Sequence, residues 1–205
     1  MKTIFFAGAM TLTVMSMQAQ SHKDRKHSDA NVAFGIKGGV NISNLHFQNN
    51  NNVNTDSKVS FHAGGLAHIH VSKYFAVQPE IMYSNQGYKY DESNNTTTKA
   101  RLHYINVPVL AQFMVGTGFR LETGPQLGIL TAASQKSGKI SVDIKDNLKP
   151  IDFSWAFGVG YVTPSGFGVD ARYNVGISNI NDVPNSGSIN NRVFQAGIFY
   201  QFAAH

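Results

Sequence analysis

Sorted into odd and even positions, the C-terminal part of the chain separates into two chemically different sets. From Phe167 to Ile177 the odd positions are Phe167, Val169, Ala171, Tyr173, Val175 and Ile177, and the even ones are Gly168, Asp170, Arg172, Asn174 and Gly176. The stretch from Ile151 to Tyr161 sets Ile151, Phe153, Trp155, Phe157, Val159 and Tyr161 against Asp152, Ser154, Ala156, Gly158 and Gly160. The closing segment opposes Phe194, Ala196, Ile198, Tyr200 and Phe202 to Gln195, Gly197 and Gln201. Strand side chains point alternately to opposite faces, so this period predicts strands with one greasy and one polar face.

Earlier segments follow the same rule with more noise. Val32, Phe34, Ile36 and Val40 alternate with Lys37 and Asn41, and Phe61, Ala63, Ala67, Ile69 and Val71 with His62, Gly64, His68 and His70. Phe75, Val77, Ile81 and Tyr83 oppose Gln78, Glu80, Ser84 and Gln86; Ile105, Val107, Val109, Ala111 and Phe113 oppose Asn106 and Gln112. Phe119, Leu121, Leu127 and Ile129 face away from Arg120, Glu122, Gln126 and Gly128, which completes eight predicted strands. Their connections alternate in length. Short turns are expected at 72–74, 116–118 and 164–166, and long links at 43–58, 91–99, 135–149 and 181–190. An all-β, eight-stranded antiparallel up-and-down transmembrane barrel produces this pattern: four long extracellular loops, short periplasmic turns and both termini in the periplasm. A Greek-key sandwich has no reason to.

A soluble ligand barrel shares the strand count but has an apolar interior and a charged outside. Here the polar faces carry Lys37, Glu80, Arg120, Glu122, Asp152, Asp170 and Arg172 among Gly and Ser, both signs in nearly matched number. That suits a tight interior where charges pair. The apolar faces place Phe61, Phe75, Phe119, Tyr161, Phe167 and Phe202 near strand ends, as aromatic girdles of a lipid-facing band do. Eight strands leave an interior just wide enough for side chains to fill, so no open pore is expected. Pro79, Pro108 and Pro125 each remove a ladder donor inside a strand; bulges there, or interrupted strands, are expected.

Composition narrows the picture. Charged residues are 14% of the chain and cysteine is absent, which excludes disulfides, thiolate metal sites, a cysteine nucleophile and a lipid-modified N-terminal cysteine. The net charge of +5 is spread without a basic stripe and argues against nucleic acid. Lys2, then an apolar run from Ile4 to Met17, then Ala19, has the layout of a secretory signal peptide; the run falls short of the ~20 residues that span a bilayer. The expected organisation is therefore a signal peptide over 1–19, a polar periplasmic lead-in over 20–31 and a barrel over 32–203 in the bacterial outer membrane.

Several motifs carry a family resemblance. Phe34-Gly35-Ile36-Lys37-Gly38-Gly39-Val40-Asn41-Ile42-Ser43-Asn44-Leu45, Gln78-Pro79-Glu80-Ile81-Met82-Tyr83-Ser84, Tyr104-Ile105-Asn106-Val107-Pro108-Val109-Leu110, Gly124-Pro125-Gln126-Leu127-Gly128 and Asn191-Arg192-Val193-Phe194-Gln195 resemble the PorT-type outer-membrane β-barrel family, often labelled porin-like. The resemblance runs over nearly all the mature chain and includes all three prolines. It implies a barrel fold, and for a subset of the family a role in secretion. The Ala203-Ala204-His205 tail departs from the aromatic terminus common in such barrels.

Candidate chemistry is sparse. His68 and His70 stand two apart on the face that also holds His62, a metal-like spacing without a cysteine or near carboxylate; hydrogen-bonded histidines are the plainer expectation. Inner-face Ser, His and Glu could suggest a barrel-embedded lipid-modifying enzyme, but no flanking motif supports it. The inner charges read as packed ion pairs or as an ion path, with packing favoured. Lys58, Lys99, Arg101, Lys136, Lys139, Lys145, Lys149 and Arg192 fall on the exterior side; of these Lys99, Arg101, Lys136, Lys139, Lys145 and Lys149 are candidate lipopolysaccharide contacts. Ile140, Val142 and Ile144 alternate, so strands five and six should extend as a hairpin. The function expected is non-enzymatic: envelope structure or surface interaction through the loops, with no cofactor or metal. Outer-membrane lipid and the barrel-assembly machinery are the expected partners. A narrow channel or secretion accessory, and a lipid-modifying enzyme, are the alternatives.

Overall fold

A computed structural model of the protein describes residues 32–47, 56–92, 96–137, 140–183 and 187–202. Ten strands form: β1 Val32–Phe47, β2 Asp56–Ser72, β3 Phe75–Gln86, β4 Tyr88–Glu92, β5 Thr96–Val115, β6 Phe119–Ser137, β7 Ile140–Asp143, β8 Ile151–Val162, β9 Phe167–Gly176 and β10 Ile189–Gln201. All pairings are antiparallel, β4 lying between β2 and β5 beyond the end of β3 and β8 pairing with β6, and β1 pairs with β10 from Gly35↔Gln201 to Phe47↔Ile189, which closes the ring. Two walls are made of pieces. β4 continues β3 beyond Gly87, whose φ of 133° suits glycine and whose added Cβ would lie 2.2 Å from the Ala100 carbonyl oxygen. β7 and β8 are separated by a short 3-10 turn, Lys145–Asn147. Counted as walls, the barrel is the predicted eight-stranded one.

The tight connections at 73–74, 116–118 and 163–166 share one end of the barrel, and both described chain ends lie there: the Phe202 amide donates to the Phe34 carbonyl (2.8 Å). We call this the short-turn end and its opposite the long-loop end. At the long-loop end the strands run further than the alternation predicted. β1 continues to Phe47, β2 starts at Asp56, and β4 with β5 narrows the expected 91–99 link to a hairpin. The 140–144 hairpin forms too, β7 pairing with β6, but all of β7 is exposed. The expected signal peptide and lead-in, and residue 203 at the end of the expected barrel, lie outside the described residues.

The prolines neither bulge nor interrupt their strands. Pairing keeps one register on both sides of each: Leu66↔Glu80 and Ile69↔Val77 around Pro79, Pro79↔Val109 and Met82↔Asn106 around Pro108, Pro108↔Gln126 and Ala111↔Thr123 around Pro125. Each proline lacks bridges in one ladder and keeps them in the other, as expected when a residue's single amide faces only one neighbour. The register shifts lie elsewhere, at His70/Ser72 and at His103/Tyr104.

The faces are polarised as predicted along most of the wall. Phe34, Ile36, Val40, Phe61, Ile81, Val109, Phe119, Leu121, Phe157, Val169 and Ile198 are exposed, whereas Lys37, Asn41, His62, Glu80, Glu122 and Arg172 are buried. Aromatic pairs Phe75–Phe113, Phe119–Tyr161 and Tyr200–Phe202 stand at the short-turn end with centroids 5.4, 4.9 and 5.4 Å apart. Phe61–Tyr83 stands nearer the long loops, the tyrosine hydroxyl bonding His103 Nδ1 at 2.6 Å.

Candidate functional site

Arg172 on β9 organises the interior. Its Nη1 and Nη2 donate to the two oxygens of Glu80 on β3 at 3.0 and 2.9 Å, and its Nε donates to Glu122 Oε1 on β6 at 2.9 Å. Lys37 on β1 pairs with Asp170 and approaches Glu80 Oε1 to 3.9 Å; Arg172 Nη2 lies 3.9 Å from Asp170. Gln78 donates to Glu80 Oε1, which it shares with Arg172, at 2.8 Å, and Gln112 donates to the other Glu122 oxygen at 3.0 Å. Period two aims these chains inward, and glycine opposite them provides room. Glu122, Gly158 and Arg172 stand side by side in register, and a Cβ on Gly158 would sit 2.7 Å from Glu122 Oε1. Two cations thus hold three carboxylates across the bore, with planar bidentate geometry at its centre.

Two predicted members fall outside this network. Arg120 Nη2 donates to Gln201 Oε1 at 2.9 Å and its guanidinium lies 5.9 Å from the Phe199 ring centroid, with no carboxylate partner among the described residues. Asp152 takes Ser178 Oγ at 2.8 Å and Asn191 Nδ2 at 3.4 Å in place of a cation. Asp152 lies several rows toward the long-loop end, whereas Arg120 shares the Gly160 row with Asp170 and still turns to Gln201, so facing inward did not by itself decide the pairing. A neutral amide layer adjoins the network: Asn41 Nδ2 donates to Ser84 Oγ (3.0 Å), while Asn41 Oδ1 accepts Gln195 Nε2 (2.9 Å) and meets His62 Nδ1 (2.7 Å). His68 is fully buried, its ring edge-on to an exposed His70 at 4.5 Å, so the three histidines do not converge. Among the described residues no group of three or more His, Cys, Asp or Glu could hold a metal ion.

Above the polar layers the interior becomes greasy. Leu45, Leu102, Tyr104, Leu130, Ala133 and Ile180 form a buried cluster, with Tyr88, Ile144, Leu148 and Ile189 against it. Ile180 comes from the β9–β10 connection, which folds over the mouth. The Ile180 amide donates to the Ile189 carbonyl (2.9 Å), the Lys149 amide to the Ile180 carbonyl (2.9 Å) and the Asp182 amide to the Asn147 carbonyl (3.1 Å). This apolar cap was missed in the sequence. Its signal lies upstream of Ile105, where alternation continues with its sense reversed: Leu102 and Tyr104 against Lys99, Arg101 and His103.

Outside the cap the wall carries exposed cations, together with exposed Asp143, Asp146 and Asp182. Lys99 and Arg101 are exposed on the outward face of β5, and Lys136 on β6 is exposed opposite Lys99; all three sit on strands, not loops. Lys145 and Lys149 are exposed around the 3-10 turn, Arg192 is exposed on β10, and Lys139 lies outside the described residues. Lys58 is not an exterior cation: it is buried, donating to Asn85 Oδ1 and the Gln86 carbonyl, each at 2.8 Å.

A closed antiparallel wall that exposes an apolar belt and encloses ion pairs defines the outer-membrane barrel class. The chain belongs to the outer membrane protein beta-barrel domain family, whose model matches residues 18–182, and its place is the bacterial outer membrane. Its fold is similar to that of the Neisserial surface protein A, with 16% identity and a TM-score of 0.59 over 82% of this chain and 97% of that one. It is also similar to Ail, the attachment invasion locus protein of Yersinia pestis, with 16% identity and a TM-score of 0.51 over 83% and 98%. No curated protein matches it.

Proposed function

We propose that this chain is a closed, non-enzymatic barrel that serves envelope structure or surface interaction through its long-loop end. The observation that carries this reading is the doubly blocked bore: the Arg172 network across its middle and the Ile180 cap over its mouth. In this reading the chain is exported after cleavage near Ala19, both termini face the periplasm, and the long-loop end faces outward, where its cations meet lipopolysaccharide. The finer kinship, to PorT-type barrels, belongs to the same proposal and rests on the proline-containing motifs. Inner-face serines also favour a structural role, since Ser84 Oγ and Ser154 Oγ accept amide donors at 3.0 and 3.1 Å.

Single-channel recording on purified barrel in planar bilayers tests the reading. Silence is expected across ±100 mV or so, because neither block leaves a continuous aqueous path. Reproducible open steps would favour the narrow channel instead, and turnover of labelled phospholipid or lipid A by the same preparation would favour the enzyme.

A further inference from the structure

The register sets three lysines shoulder to shoulder. Lys89 on β4 is directly opposite Lys99 on β5, and Lys99 is directly opposite Lys136 on β6. Directly opposed residues share a face, so all three project outward, and Arg101 projects from the same face one pleat nearer the apolar belt. Lys99, Arg101 and Lys136 are exposed and Lys89 is half-buried. None of the four forms an ion pair with a side chain that the structure describes, although the register also sets Asp56 opposite Lys89, and Asp143 opposite the Ser134 that faces Arg101. Neighbouring strands are ~4.8 Å apart, so the row spans about 10 Å, a separation at which like charges directly opposite repel.

Depth adds the second argument. On β5 the outward series runs Phe113, Ala111, Val109, Val107, Ile105, His103, Arg101 and Lys99. At ~3.3 Å per residue and a tilt of ~45°, the path from Phe113 to Arg101 rises about 28 Å, the height of a hydrocarbon layer. Arg101 and Lys99 therefore stand where headgroup phosphates lie, immediately beyond the Tyr83–His103 pair.

We propose that Lys89, Lys99, Lys136 and Arg101 form a binding site for the phosphate of an outer-leaflet lipid, in this membrane the glucosamine phosphate of lipid A. A phosphate seated between the row and Arg101 turns mutual repulsion into shared attraction, the arginine supplying a planar fork and the lysines point charges. The acyl chains of the same lipid then lie along Ile105, Val107 and Ile129 on the exposed belt. The inference rests on the outer-membrane reading above and on the long-loop end facing outward. Labelling of a Ser141→Cys variant in intact cells with a membrane-impermeant maleimide checks that orientation separately, in a chain with no other cysteine.

The test is retention of monophosphoryl lipid A by the detergent-purified barrel, followed by native mass spectrometry beside its dephosphorylated counterpart. Wild type should retain the phosphorylated form selectively. K99Q should bind about fivefold and K99Q/K136Q about thirtyfold more weakly, K99R/K136R should stay near wild type, and K73Q, exposed at the short-turn end, should be unchanged. Heat-modifiable gel mobility verifies that each variant is folded. In lipid-free detergent K99Q should raise the melting temperature by relieving repulsion, and added lipid A should raise that of wild type more. Equal retention of the dephosphorylated lipid, undiminished binding by folded K99Q/K136Q, or equal loss in K73Q would overturn the proposal. Full displacement of lipid A by equimolar inorganic phosphate would reassign the site to a free anion and overturn it as well.

Discussion

The two halves of this barrel obey opposite rules. Below the His103/Tyr104 register shift, β5 turns Asn106 and Gln112 inward and Ile105, Val107 and Val109 outward; above it, the same strand turns Leu102 and Tyr104 inward and Lys99 and Arg101 outward. β6 repeats the reversal, with Leu130 and Ala133 inside beneath an outward Lys136, and Gln126 and Glu122 inside behind Ile129 and Leu121. One unbroken wall thus serves two solvents. Where lipid surrounds it, apolar side chains must face out and polar ones pair within; where water surrounds it, the ordinary apolar core returns. Chain order is indifferent to this boundary. Only the chemistry of successive side chains changes.

The sharpest break of the lower half is Arg172→Ala. It leaves Glu122 buried with only an amide donor and Glu80 with an amide and the more distant Lys37, and should cost about 3–5 kcal/mol of folding free energy in urea unfolding from lipid vesicles. An unchanged unfolding midpoint would mean that water, not pairing, satisfies those carboxylates. Next comes Phe157→Arg on the lipid face of β8, expected to destabilise by about 2–4 kcal/mol, against about 0–1 for the same change at Ile140 on exposed β7. Equal effects at the two positions would erase the distinction between the halves.

Leu102→Ala attacks the upper half from inside. Removing this buried side chain should cost about 2–3 kcal/mol, at the lower end for buried leucine because the cap is held on one side by a loop. Faster proteolysis of the 177–183 connection should accompany it, while the Arg172 network stays intact. Smallest is Lys145→Gln, an exposed position away from the strand lysines, whose effect on stability should stay within about 0.5 kcal/mol.

Much of the lower half was legible because one physical constraint acts on every second residue there. Phe167 to Gly176 and Ile151 to Tyr161 are exposed and buried almost residue for residue as their alternation predicts. Closure, strand number and the inward charges followed from the same constraint. Which charges meet did not, since pairing depends on register between walls distant in sequence: Arg172 and Glu80 are 92 residues apart, while Arg120 found an amide. The prolines illustrate a second limit. Composition reveals a missing donor, but not that the register can continue past it with a few bridges absent. The upper half was illegible for a third reason: its alternation has the opposite chemical sense, so Leu102 and Leu130 matched neither face, and Lys99 and Lys136 fell within the expected 91–99 and 135–149 links.

Arginine scanning of the outward face of β5 tests the reversal most directly. Phe113→Arg, Val109→Arg and Ile105→Arg, with native Arg101 as the endpoint, would each be unfolded reversibly from lipid vesicles. The predicted profile is a single hump, about 2–4 kcal/mol at Val109 and falling to about 0–1 near Phe113 and toward Arg101. A flat profile, or a cost still high beside Arg101, would contradict a wall whose outer face passes from lipid to water at His103.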